Sequence, residues 1–214
     1  MPSDSIIPLF PLGLVMLPQM PLPLHIFEER YKLMIGECLE RHTAFGIVFF
    51  NGSDIQAIGC TAQILKVLKR YHDGRLDILT RGAKRFRIKD IYDRKPYLEG
   101  RVSFFEDEPN ANKDACTQLA RSAMTLLEQF TAIAGIQDGY EFAEQLDTGS
   151  ISFLIAGCEG FSMEEKQRFL EMTSSFERLE KCVGALEKII ERTKITAQIR
   201  KIIGGNGDMA KFSS

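Results

Sequence analysis

The sequence lacks the local signatures from which catalysis or metal binding is usually inferred. It has no Gly-Lys dipeptide, which excludes the P-loop that binds nucleotide phosphates. Its five cysteines form no Cys-x-x-Cys pair, and its three histidines, His25, His42 and His72, lie far apart in the chain. We therefore expect no metal and no cofactor, no disulfide framework, and reduced, mostly buried cysteines.

A catalytic nucleophile is equally absent from the sequence pattern. The run from Gly160 through Ser162 to Glu164 begins like the nucleophile elbow of hydrolases, but glutamate stands in place of the second glycine and no strand precedes it. Ser162 is better explained as a helix cap, because Glu165 completes an S-x-x-E capping box. We predict a non-catalytic protein with no catalytic residues.

The chain begins with an apolar stretch that contains no Asp, Glu, Lys or Arg between Ile6 and Phe27. Five prolines in this stretch exclude a membrane helix, which must satisfy its own backbone hydrogen bonds. A secretion signal is excluded as well, because residues 1–5, MPSDS, contain an acid and no base. We expect extended edge strands buried in a folded core, and a cytoplasmic protein that does not contact a membrane.

Residues 28–105 predict a sheet with one inserted helix. Apolar residues recur at helical spacing from Glu28 to Arg41, and a buried strand follows at 44–50. Residues 57–71 fit a helix or a strand, and the Asp73-Gly74 hairpin signal after them favours the strand. Three alternating segments, 75–82, 84–92 and 97–105, then predict further strands. Short turns and no repeating strand-helix-strand pattern indicate a small barrel or sandwich.

Beyond about residue 110 the pattern becomes helical. One helix is predicted at 114–134, a short apolar helix near Ser150, and two more after the S-x-x-E boxes at Ser162 and Ser174. The apolar face of the first comprises Ala115, Leu119, Ala123, Leu126, Leu127, Phe130 and Ile133. The last helix, 175–203, carries a seam of Phe176, Leu179, Val183, Leu186 and Ile190. We expect this seam to pack within the chain, with homodimerisation through the C-terminal helix as the alternative.

The predicted fold is therefore α+β in two parts. Strands and one inserted helix occupy residues 1–110, a helical bundle subdomain occupies 111–203, and 204–214 form a flexible tail.

Charge is segregated along the chain. Residues 61–101 contain twelve Lys and Arg against five Asp and Glu, although the whole chain carries a net charge of −2. The candidate basic face consists of Lys66, Lys69, Arg70, Arg75, Arg81, Lys84, Arg85 and Arg87. A solvated sheet surface is the simpler interpretation of these residues. Tyr71 and Tyr92 are the aromatic residues best placed to stack on a single-stranded nucleic acid.

Several segments in order resemble the N-terminal substrate-binding domain of the ATP-dependent protease Lon. They are PLFPLGLVMLPQMPLPLHIFEERYKLMI, IGCTAQILKV, DGRLDILTRGAKRFRI and PYLEGRVSFFED, followed by FLIAGCEGFSMEEKQRFLEMTSSFERLEKCVGALEKII. The resemblance spans residues 6–191. It implies a PUA-like antiparallel β-barrel with an inserted helix, a strand at 57–71, and a helical bundle ending in a long helix. The chain has no counterpart of Lon's AAA+ module or Ser-Lys protease domain, so we do not expect those activities.

The resemblance implies a module that recognises unfolded or damaged polypeptides, or an adaptor for full-length Lon. We predict that Val15, Met16, Leu17 and Met20 bind substrate, because flexible methionines in a proline-bounded loop suit varied apolar segments. Ordinary core packing is the competing interpretation of these four residues. RNA binding by a PUA-like domain through the basic face is the alternative function, although a nucleic-acid partner is the less expected one.

Overall fold

The computed structural model describes residues 4–109, 112–135 and 147–206. Within these ranges it has six strands and five helices, which confirms the α+β class. The strands are β1 (Ser5–Leu12), β2 (Pro21–Ile26), β3 (Phe45–Phe50), β4 (Ile55–Arg70), β5 (Leu76–Tyr92) and β6 (Leu98–Phe105). The helices are α1 (Glu29–Arg41), α2 (Lys113–Ala134), α3 (Thr148–Gly157), α4 (Met163–Glu171) and α5 (Ser175–Asn206).

The chain divides into two compact units, and one of them is discontinuous. Among the described residues, the strand unit comprises 4–109 with 156–174, and the helical unit comprises 112–135 and 147–155 with 175–206. The predicted boundary near residue 110 coincides with the first junction between these units, whereas residues 156–174, which were predicted with the helices, are grouped with the strands. The predicted tail also needs correction, because α5 continues to Asn206, and the rest of 204–214 lies outside the described residues.

All six strands of the strand unit belong to one sheet, in the order β2-β5-β4-β3-β1-β6. Strand β6 also pairs with β5, so the pairings form a continuous circuit through five of the strands. Five of the six pairings are antiparallel, whereas β1 and β3 pair in parallel. A parallel pair needs a crossover connection, which β2 and α1 provide. The PUA-like barrel remains a prediction.

The proline-rich start forms two strands, as predicted, but only β2 is an edge strand. Strand β1 pairs with β6 through Ser5–Leu9 and with β3 through Leu9–Leu12. Each half of β1 therefore has one unpaired side, which accommodates a residue without a backbone N–H, such as Pro8 or Pro11.

Strand β5 is a single strand of 17 residues, where two separate strands were predicted. At its centre Phe86 is fully buried in a core cluster with Leu9, Val48 and Val102. Arg85, placed on the exposed basic face by simple alternation, is instead 4% exposed.

The buried Arg85 side chain ties helix α4 to the sheet. Its guanidinium donates hydrogen bonds to the carbonyl oxygens of Leu170 and Met172 and pairs with the Asp107 carboxylate. A second contact comes from Gln167, whose Nε2 donates to the Ile58 carbonyl at 3.0 Å. These bonds explain why 156–174 belong with the strands.

Within the helical unit, α5 packs against α2. Leu179, Leu186 and Ile190 of the predicted seam are buried, which supports packing within the chain, and homodimerisation remains a prediction. The buried face of α2 consists of Cys116, Ala120, Ala123, Leu127 and Phe130. The predicted face is therefore rotated from the true one, and its other members flank the contact as half-buried side chains.

All five cysteines are buried thiols that form no disulfide, and their burial was predicted from the scattered spacing. Cys60 is fully enclosed, and burial raises the pKa of its thiol to about 12. Because the thiolate is the reactive form, we expect no thiol to react rapidly with a disulfide reagent at pH 8 in the native protein, and five to react in denaturant. Rapid labelling of Cys60 in the native state would contradict this burial.

Candidate functional site

The loop between β1 and β2 is held to the sheet at a single residue of β5. Gln19 donates its backbone N–H to the Gly82 carbonyl at 2.9 Å, and Gly82 donates to the Met20 carbonyl at 3.0 Å. A Cβ atom on residue 82 would lie 2.1 Å from the Leu17 carbonyl oxygen. Glycine is therefore required there because the loop backbone passes so close to the strand.

A tight turn shapes the end of this loop. Met20 donates its N–H to the Leu17 carbonyl at 3.3 Å, with Pro18 and Gln19 at the two central positions. Gln19 has a φ of 64°, in the left-handed region. Proline followed by a residue with positive φ is the arrangement of a type II turn. Leu17 and Met20 are therefore the first and last residues of the turn.

The loop forms one wall of a pocket with a volume of about 120 Å³, which we call the loop pocket. Its lining residues all belong to the strand unit and are Val15, Met16, Leu17, Met20, Pro21, Leu22, Gly157 and Lys166. All four predicted substrate-binding residues therefore line one pocket. Met16 and Leu17 are 3% and 2% exposed and also pack in the core, whereas Val15 and Met20 are half-buried.

Sequence reasoning missed two lining residues, Gly157 and Lys166, which come from the end of α3 and from α4. Helix α4 begins with the predicted capping box: Glu165 donates its N–H to the Ser162 hydroxyl, and the Glu165 carboxylate accepts from the Ser162 N–H. This cap fixes the first turn of α4 and with it Lys166. No local pattern indicates that residues so distant in sequence meet the loop.

Lys166 is the single charged side chain among the lining residues. Its Nζ donates to the Gly157 carbonyl at 3.2 Å. Burial lowers the pKa of the Lys166 ammonium from its ordinary value, and the nearby Cys158 and Glu159 act in the opposite direction. A Cβ atom on residue 157 would lie 2.6 Å from the Met20 Cε, so the end of the Met20 side chain would have to move to accommodate it.

The eight residues of the candidate basic face do not share one environment. Lys66, Lys69, Arg70, Arg81, Lys84 and Arg87 are exposed, Arg75 is half-buried, and Arg85 is buried against Asp107.

The two tyrosines proposed for base stacking already contact cations of the chain. Lys69 and Arg75 lie over the Tyr71 ring, at 4.4 and 4.9 Å from its centroid, and Arg94 lies 4.4 Å from the centroid of Tyr92. The geometry therefore gives no support to the RNA-binding alternative.

Two classes of site are absent from the part of the chain that the structure describes. It holds no group of three or more His, Cys, Asp or Glu side chains arranged to bind a metal ion. No described helix combines the length and apolar character needed to cross a membrane. His25 is exposed and forms a 2.5 Å contact through Nδ1 with the Asp77 carboxylate.

These features define an α+β domain with a small apolar pocket beside its first two strands. The model of the substrate-binding domain of ATP-dependent protease La (LON) matches residues 6–188, and the chain belongs to this family.

Its relatives include whole proteases and isolated domains. The chain is 25% identical to the Lon protease of Xanthomonas oryzae pv. oryzae, over 91% of its own length and 24% of that protein. It is 28% identical to the Lon protease of Heliobacterium modesticaldum, over 91% of its own length and 26% of that protein. The chain thus spans about a quarter of these relatives.

Solved structures show the same fold. The crystal structure of a Lon N-terminal domain protein from Xanthomonas campestris has a TM-score of 0.65 at 23% identity, covering 84% of this chain and 98% of that one. The N-terminal domain of the Mycobacterium avium complex Lon protease has a TM-score of 0.68 at 17% identity, covering 86% and 98%.

Proposed function

We propose that this protein binds unfolded or damaged polypeptides without cleaving them, and that the loop pocket receives one apolar side chain of the bound segment. The observation that carries the proposal is the convergence of Val15, Met16, Leu17 and Met20 on one pocket. Membership of a substrate-binding family supports the same reading.

The size of the pocket sets what it can hold. Ligand sites for whole small molecules usually measure about 300–1,000 Å³, whereas a cavity of about 150 Å³ holds a single benzene ring. At about 120 Å³, the loop pocket suits one side chain of about the size of leucine. A single anchor gives weak binding, which is appropriate for a protein that must accept many sequences.

Two features of the wall suit varied occupants. Met16 and Met20 have unbranched, polarisable side chains that adapt to apolar groups of different shape. The half-buried Met20 can move, whereas the Gly82 contacts hold the backbone beneath it. We propose direct binding of client polypeptides rather than recruitment of full-length Lon as an adaptor, because an adaptable pocket wall suits occupants of varied sequence.

Two substitutions test the pocket. The first shortens a side chain of the wall, and the second displaces that side chain. We expect Met20→Ser to weaken binding of a reduced, carboxymethylated model protein about tenfold, since an apolar contact worth about 1.5 kcal/mol is lost. Gly157→Ala should also weaken binding, because its Cβ would displace the end of the Met20 side chain, which lines the pocket. Binding is measured by fluorescence anisotropy and folding by circular dichroism.

The matched control is Leu68→Ser, which removes an exposed leucine (51% exposed) that does not line the pocket. We expect this variant to bind as the wild type does. Equal loss in Leu68→Ser and Met20→Ser would indicate general surface adhesion. Unchanged affinity in folded Met20→Ser and Gly157→Ala would refute the role of the pocket.

A further inference from the structure

The charged residue in the loop pocket has unused hydrogen-bonding capacity. A lysine ammonium has three N–H donors, and the bond to the Gly157 carbonyl uses one of them. Among the described residues, no carboxylate forms an ion pair with Lys166. The loop pocket therefore has one cation in its wall, and Glu159, which lies near it, forms no ion pair with it in the part of the chain that the structure describes.

We propose that the loop pocket binds the carboxyl terminus of a polypeptide that ends in an apolar residue. The last side chain occupies the pocket, and the terminal carboxylate accepts hydrogen bonds from the Lys166 ammonium. This inference rests on the proposed function, since it specifies which part of a polypeptide the same pocket prefers.

Covalent geometry favours a chain terminus over an internal segment. In a terminal residue the carboxylate and the side chain are attached to the same Cα, so a pocket for one side chain can contact both. In an extended internal segment the neighbouring side chains point to the opposite face, and the next one on the same face is about 7 Å away. In an internal segment, an acidic residue next to the bound one therefore points away from this pocket of about 120 Å³ and does not contact Lys166.

The environment of Lys166 increases the gain from an anionic partner. Its side chain is half-buried in the wall of a pocket that Met and Leu residues also line, so it has already lost part of its hydration. Charge-assisted hydrogen bonds to a carboxylate are roughly twice as strong as neutral ones. The lowered pKa of Lys166 agrees with a desolvated ammonium.

The experiment compares three labelled ten-residue peptides with the full chain. The first ends in leucine with a free carboxylate, the second is the same peptide amidated, and the third is amidated with aspartate before the leucine. We expect the free acid to bind about tenfold more tightly than either amidated peptide, as a charged hydrogen bond allows. Dissociation constants come from fluorescence anisotropy.

Variants assign the preference to one residue. Lys166→Met should bind the free acid and the amide with equal affinity. Lys166→Arg should restore the preference, because it retains the charge. Lys113→Met, which removes an exposed lysine of α2, is the control and should behave as the wild type.

The outcomes separate this inference from the proposed function. Binding of both the acid and the amide with equal affinity in the wild type would overturn the carboxylate preference and leave the apolar pocket intact. If the aspartate peptide binds most tightly, the pocket prefers an internal carboxylate, and the proposal of a terminal carboxylate is wrong. If no peptide binds, or if Met20→Ser binds the amide as tightly as the wild type, both proposals are wrong.

Discussion

Gly82→Ala is expected to destabilise the protein by about 3 kcal/mol and to abolish binding at the loop pocket. The added Cβ would lie 2.1 Å from the Leu17 carbonyl oxygen and 2.9 Å from its carbon. These are backbone atoms, so no rotamer change relieves the overlap. The loop must lift from β5, which breaks the two hydrogen bonds between Gly82 and the Gln19 and Met20 backbone.

Gly13→Ala is the matched control for this substitution. Gly13 lies in the same loop, but a Cβ there would have no atom within 4 Å and its φ is outside the left-handed region. We expect Gly13→Ala to raise the free energy of unfolding by about 0.5–1 kcal/mol, because alanine restricts the unfolded chain. Urea denaturation measures both variants. Equal stability of Gly82→Ala and Gly13→Ala would show that the loop does not pass close to β5.

Arg85→Leu is expected to cost about 3–4 kcal/mol of unfolding free energy. The substitution removes the guanidinium that the Leu170 and Met172 carbonyls and the Asp107 carboxylate contact, in a region where Arg85 itself is 4% exposed. Removing one partner of a buried polar network is costly because the other partners stay desolvated. The detachment of α4 should also weaken polypeptide binding, since α4 carries Lys166.

Arg87→Leu provides the comparison on the same strand. The Arg87 side chain is exposed. Both guanidinium groups lie near the Phe105 ring, at 6.0 Å from its centroid for Arg87 and 4.6 Å for Arg85. We expect Arg87→Leu to change stability by less than about 0.5 kcal/mol. Similar midpoints in urea for the two variants would mean that Arg85 does not connect α4 to the sheet.

Local patterns predicted most of the elements, and the bulges of β4 explain the one ambiguity. The register against β5 shifts between Ile64 and Lys66 and again between Val67 and Lys69. Leu65 and Leu68 are therefore extra residues on the bulged strand and are exposed, at 45% and 51%. Two bulges three residues apart imitate helical spacing, which is why periodicity alone did not distinguish the strand.

Long-range partners explain what the sequence did not reveal. Arg85 appears in an alternating run of exposed basic residues, and its burial depends on carbonyl groups 85 and 87 positions later. The loop side of the pocket was predictable because methionines and prolines lie close together in the chain. Lys166 was not, because its place in the wall depends on how α4 is bound to the sheet.

The strand unit consists of two segments that are separated in the sequence, and this matters during synthesis on the ribosome. All six strands precede Pro109, yet the segment that supplies Lys166 ends at Ser174. At about 5–20 residues per second, translation needs roughly 3–13 s to cover this interval. A nascent chain therefore completes its sheet residues before it has the pocket's second wall, and a fragment truncated after the last strand would lack that wall permanently.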